Sequence, residues 1–153
     1  GTHSKWAHVS AGEVISFQTF MTGELFALLA EKSVLRHGMG DGGFEGEAFD
    51  EGLSDALSRP EQLAARLFRL RAEGLLDGLP PVRARSRLSG LLIGAELAAA
   101  RPYWLGQPVL LVGAEALSGL YARALAGQGV AAGQLSATDC TLAGLKALAK
   151  EIA

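Results

Sequence analysis

Val109-Leu110-Leu111-Val112-Gly113-Ala114-Glu115-Ala116-Leu117 carries the signature of an α/β unit. Its continuous apolar run is the pattern of a strand buried on both faces. Gly113 follows, and a helix is expected from about Glu115 to Ala126, stopped by Gly127 and Gly129. Val130 to Leu135 reads as another strand, and Thr138-Asp139 as the cap of a last helix reaching about Ile152. Strand and helix alternate here, which implies parallel pairing across a helix.

Upstream, Leu88, Leu91, Leu92, Ala95 and Ala99 share the spacing of one long helix, roughly Val82 to Arg101, which Arg101-Pro102 should end. Gly78-Leu79-Pro80-Pro81 separates it from a helix over Glu61 to Leu76, where Leu63, Leu67 and Leu70 fall on one face. Ser58-Arg59-Pro60 divides that helix from one over Ala48 to Leu57, with Pro60 suited to a first helical position. The glycine-dense stretch His37 to Gly46 is loop. Thr22 is the expected N-cap of a helix carrying Leu25, Leu28 and Leu29 and fading near Lys32-Ser33. Trp6–Val9 and Val14–Phe20 read as strands of a hairpin turning at Ser10-Ala11-Gly12-Glu13. The expected architecture is a mixed sheet with helices packed on it and a helical block at about 45–80.

Composition narrows the class. The 153 residues are 49% hydrophobic and 20% charged, ample for a core and unlike a disordered chain. A net charge of −2 makes nucleic acid a poor partner. Without an uncharged apolar stretch of ~18 residues, a membrane span is not expected. The single cysteine, Cys140, excludes an intramolecular disulfide framework and a multi-cysteine metal site, and fits a reducing, cytoplasmic compartment. The chain opens Gly1-Thr2-His3-Ser4 with no initiator Met and no signal-peptide pattern, as expected of a processed product or a piece of something longer.

Four places hold candidate chemistry. Gly1-Thr2-His3-Ser4-Lys5 gathers hydroxyls, an imidazole and an ammonium at the start of a hairpin. Backbone N–H groups, Thr2 and Ser4 suit phosphate oxygens, and Lys5 adds charge; on composition alone, a frayed polar terminus is the commoner outcome. Gly113 and Ala114 lie where an open α/β sheet binds ligands, beyond the carboxyl end of a strand, although tight strand–helix turns are common. Thr22 and Glu24 join strand to helix, and Glu24 suits either a polyol hydroxyl or the helix dipole. Arg83, Arg85 and Arg87 alternate at a helix start, facing a substrate carboxylate, a phosphate, nearby acids or solvent. The His37–Gly46 loop lacks metal-ligand spacing, and Cys140 reads as a packed small residue.

Several strings resemble blocks of the 2-dehydro-3-deoxygalactonokinase family: Gly1-Thr2-His3-Ser4-Lys5-Trp6, Phe17 through Phe26, Ser33-Val34-Leu35, Arg85 through Glu96, and the Leu111–Leu125 strand and helix. The resemblance runs along nearly the whole chain. It implies an ATP-dependent sugar-acid kinase of the actin/hexokinase-like superfamily, acting on the 6-hydroxyl of 2-dehydro-3-deoxy-D-galactonate. The implied fold is a ribonuclease-H-like sheet with helices on both faces, in the C-terminal, ATP-binding half of a two-domain enzyme. Gly1, Thr2, His3, Ser4 and Lys5 would then meet the ATP phosphates, with Mg²⁺ bridging them, and Gly113, Ala114 and Leu117 the adenosine. Ala114 stands where the wider superfamily often has a second glycine. Thr22, Glu24 and Arg85 would face the sugar acid. The first phosphate loop, the general base and the central first strand of the sheet have no counterpart here, so an N-terminal half of the same enzyme is the expected partner, and this chain alone is expected to be inactive. A homo-oligomer, a non-catalytic nucleotide-binding or assembly module of the same fold, and a kinase for another sugar stay open.

Overall fold

The computed structural model describes residues 2–152; Gly1 lies outside the described residues. The chain divides into two compact units, Gly1–Tyr103 and Trp104–Ala153. The first opens with an antiparallel hairpin of β1 (Ser4–Ser10) and β2 (Glu13–Phe20), in register from Ser4 opposite Phe20 to Ser10 opposite Glu13, with one irregularity between His8 and Val9. The turn is where the sequence places it. Ala11 and Gly12 both take positive φ, 52° and 81°, as a tight turn matched to strand twist requires.

Helix α1 (Thr22–Glu31) follows without a break. Thr22, expected as its N-cap, is instead the first helical residue, and Met21 holds the cap position without a side-chain bond. The Thr22 hydroxyl is engaged by a residue far along the chain, so a tertiary contact displaces the local cap. A 3-10 turn over Val34–Gly38 comes next, capped by Ser33 Oγ, which accepts the Leu35 N–H at 3.0 Å. Then follow α2 (Gly46–Ser58), a 3-10 turn over Pro60–Gln62, α3 (Leu63–Leu76) and α4 (Pro81–Ala99). Arg101-Pro102 does not end the helical path. A further turn, α5 (Arg101–Trp104), begins there, because Pro102 falls where a first helical turn needs no N–H.

The core of this unit is built on α2 and α4. A Cβ on Gly90 would lie 2.0 Å from the Phe49 carbonyl oxygen, one on Gly52 2.4 Å from that of Arg87, and one on Gly94 2.6 Å from that of Leu53. The two helices therefore meet backbone to backbone, and only glycine permits it. Phe49, Leu53, Ala56, Leu88, Leu91 and Leu97 are buried around the crossing. Ala30, Leu35 and Leu70 join Leu88, Leu91 and Leu92 in a cluster that ties α1 and α3 to α4. Burial of this apolar surface supplies most of the stabilisation.

The second unit is β3 (Leu110–Gly113), α6 (Glu115–Ala126), β4 (Gly133–Ser136) and α7 (Ala137–Ile152), with β3 and β4 parallel across α6 as the alternation implies. Two expectations are corrected. β4 starts at Gly133 rather than Val130. β3 is not buried on both faces: Leu110 and Val112 are 58% and 54% exposed while Leu111 is half-buried, the alternation of a strand covered on one side only. The described strands hydrogen-bond as two separate pairs, β1–β2 and β3–β4, and by themselves do not make one mixed sheet. The chain is thus a mixed α and β protein with small sheets. Among the described residues no helix is long and apolar enough to cross a membrane.

Candidate functional site

The register of the hairpin brings the start of β1 beside the junction of β2 and α1. There the Thr2 carbonyl accepts the Glu24 N–H at 2.9 Å, satisfying one of the free amides of the α1 first turn. Gly23 makes this possible, since a Cβ on it would lie 2.9 Å from the Thr2 oxygen. His3 Nε2 lies 2.6 Å from Glu24 Oε2 on the surface.

Beneath this segment sits Glu96, on α4 and only 3% exposed. Ser4 Oγ donates to its Oε1 at 2.8 Å, Trp6 Nε1 donates to the same oxygen at 2.8 Å, and Thr22 Oγ1 donates to Oε2. A carboxylate inside an apolar helix face is tolerable only with such donors. The site therefore joins β1, the α1 first turn and α4. It unites Thr2, His3, Ser4, Thr22 and Glu24. Lys5, one residue along the strand from Ser4 and Trp6, belongs to the opposite face of β1 and is exposed.

The three arginines of α4 part ways. Arg83 pairs with Glu45 and Glu51, and Arg87 with Glu73, which also takes Arg69 Nε at 2.6 Å. Burial alone would lower the Arg83 guanidinium, but Glu51 and Glu45 outweigh it and hold it above its usual value. Burial likewise pushes the Glu73 carboxyl up, yet its bonds to Arg69 and Arg87 keep it below the usual carboxylate range. Arg85 makes no ion pair among the described residues. Its guanidinium stacks 4.8 Å over the Phe26 ring and lines a cleft of about 480 Å³ with Arg36, Asp41, Glu31 and Met39.

In the second unit, Gly113 and Ala114 form the link from β3 to α6. The buried Ser118 packs under this link: its N–H donates to the Ala114 carbonyl at 2.9 Å, and its Oγ would lie 3.0 Å from a Cβ on Gly113. Leu117 is 38% exposed beside it. Cys140 is half-buried in α7. No group of three or more His, Cys, Asp or Glu able to hold a metal exists among the described residues.

A family model for 2-keto-3-deoxy-galactonokinase matches residues 1–148. The chain belongs to that family. It is 39% identical to a protein of Rhizobium meliloti named as a probable 2-dehydro-3-deoxygalactonokinase, over 99% of this chain and 51% of the relative. It is 34% identical to the 2-dehydro-3-deoxygalactonokinase of Escherichia coli, over 100% and 52%. A crystal structure from Sinorhizobium meliloti, described under the same enzyme name, superposes with a TM-score of 0.91 at 39% identity, over 99% of this chain and 50% of that one. The chain thus spans about half the length of the galactonokinase relatives it matches.

The residues alone mark the hairpin start as candidate chemistry beside the commoner frayed terminus, and give Glu96 no role. One signal was available. Glu96 lies among Leu92, Ile93, Leu97 and Ala100, all buried, so a carboxylate occupies a stripe that helical spacing assigns to the core. Ser4, Trp6 and Thr22, which donate to it, are 74 to 92 residues away, beyond any local pattern.

Proposed function

We propose that this chain is the nucleotide-side, C-terminal half of an ATP-dependent kinase that phosphorylates 2-dehydro-3-deoxy-D-galactonate at its 6-hydroxyl. The observation that carries the reading is the polar Thr2–Lys5 segment, docked on α1 and Glu96 in a chain matched to the galactonokinase family over residues 1–148. In this reading the backbone of the segment and the Thr2 hydroxyl hold phosphate oxygens, and Lys5 offsets developing charge. The Ser4 hydroxyl donates its hydrogen bond to Glu96, which leaves the donor role toward phosphate to its neighbours. Gly113, Ala114 and Leu117 take the adenosine. Thr22, Glu24 and Arg85 take the sugar acid, and the pairing of Arg83 and Arg87 with glutamates supports Arg85 for its carboxylate.

In this reading Mg²⁺, bound with the nucleotide, would neutralise phosphate charge. The other half supplies the general base and the central strand of a ribonuclease-H-like sheet, into which the helical block at 45–80 is inserted. This half alone does not turn over, and the enzyme works in the cytoplasm. Transfer is in line, and positioning does most of the catalysis. The test is Thr2→Ala in the full-length enzyme. Loss of one phosphate hydrogen bond, worth about 1 kcal/mol, lowers kcat/KM for ATP roughly fivefold. A value within about twofold of the unsubstituted enzyme removes the phosphate role.

A further inference from the structure

We propose that Glu96 is a positioning residue: by taking the side-chain protons of Ser4, Trp6 and Thr22 it fixes the path of the Thr2–Lys5 segment and turns two hydroxyls into acceptors. The proposal rests on the phosphate-binding reading of that segment. Three observations carry it. The carboxylate is buried, at 3% exposure. Three side chains that donate to it come from two separate elements, Ser4 and Trp6 from β1 and Thr22 from the first residue of α1. Between them the Thr2 carbonyl closes on the Glu24 N–H, so the backbone that approaches the ligand is held on both sides.

The direction of the hydrogen bonds has a chemical result. An ionised carboxylate only accepts, and a hydroxyl has one proton. With those protons committed to Glu96, the half-buried Ser4 and Thr22 oxygens meet anything outside with lone pairs alone. Lone pairs repel phosphate oxygens and accept from an alcohol or from water. Glu96 thereby assigns phosphate to the Thr2 hydroxyl and the backbone amides, and alcohol donors of a polyol chain to Ser4 and Thr22. A residue present only for packing would not need this arrangement, since an apolar side chain of similar volume fits an apolar helix face at no desolvation cost.

The experiment is steady-state kinetics on the full-length enzyme with Glu96→Gln, beside Leu53→Val as a control in the α2–α4 core that removes none of the Glu96 hydrogen bonds. The amide keeps the shape but has one acceptor oxygen, so the Thr22 hydroxyl must turn and its proton is released outward. We expect Glu96→Gln to raise KM for the sugar acid about tenfold with kcat within about threefold, and Leu53→Val, at a comparable loss of melting temperature, to leave KM within about twofold. Equal losses in the two variants, or an unchanged KM in Glu96→Gln, overturn the positioning role while leaving the kinase reading intact. An unsubstituted enzyme with no ATP-dependent turnover of the sugar acid overturns both.

Discussion

The α2–α4 helix pair and the β1–β2 hairpin belong to the same compact unit and are stabilised in different ways. Around the helix crossing, Phe49, Leu53, Leu88, Leu91 and Leu97 are buried and three glycines let the backbones touch. On the hairpin, Val9, Val14, Ile15 and Phe17 are each at least 60% exposed, and the buried anchor is Trp6, tied to Glu96. The helices hold their shape by shape-matched apolar packing, which is indifferent to ligands. The hairpin is held by a few directional polar bonds at one end. That end is where the candidate chemistry lies, so rigidity and reactivity come from different forces in neighbouring elements.

The contrast can be broken most forcefully at Gly90. Gly90→Ala places a Cβ 2.0 Å from the Phe49 carbonyl oxygen, and neither backbone can yield cheaply. A loss of about 3 kcal/mol is expected in chemical denaturation; a change within about 0.5 kcal/mol would show that the crossing is loose. At the rim of the helical layer, Glu73→Gln removes a carboxyl bridging Arg69 and Arg87. Its pKa is depressed in the folded state, so its contribution is present above the unfolded value of 4.5 and is lost as pH falls through the lower folded value. The variant should lose about 1 kcal/mol at neutral pH and converge with the parent in acid. Melting curves separated equally from pH 3 to pH 7 (roughly, the window this linkage covers) would remove the assignment. On the hairpin, Phe17→Ser should alter the stability of this chain by no more than about 0.5 kcal/mol, because the ring is 66% exposed. A cost near 2 kcal/mol would mean the face is packed, and the contrast would fail.

What the sequence disclosed follows the range of the interactions. The Ser10–Glu13 turn and the helix stop at Gly127 depend on neighbours a few residues apart and are found where their residues place them, whereas Pro60 opens a short 3-10 turn and the helix expected from Glu61 begins at Leu63. Thr22 was misread as a cap because its hydroxyl serves Glu96, 74 residues away. Val109–Val112 was misread as doubly buried because an apolar run states an affinity for cover without stating what supplies it. Within the candidate site, Thr2 and Ser4 were legible as polar residues at a strand start. The carboxylate that orients Ser4 was not, since hydrogen-bond direction is decided by the tertiary partner.

The two-stranded ribbon has a practical consequence for handling this polypeptide. Among the described residues both outer edges of β1 and β2 lack a strand neighbour, and the side chains between them include Val9, Val14, Ile15 and Phe17. Unsatisfied main-chain groups beside bulky aliphatic and aromatic surface are a template for intermolecular zippering. Preparations of this chain should therefore self-associate with rising concentration, and a lysine or proline on the outer edge of β2 is the natural remedy.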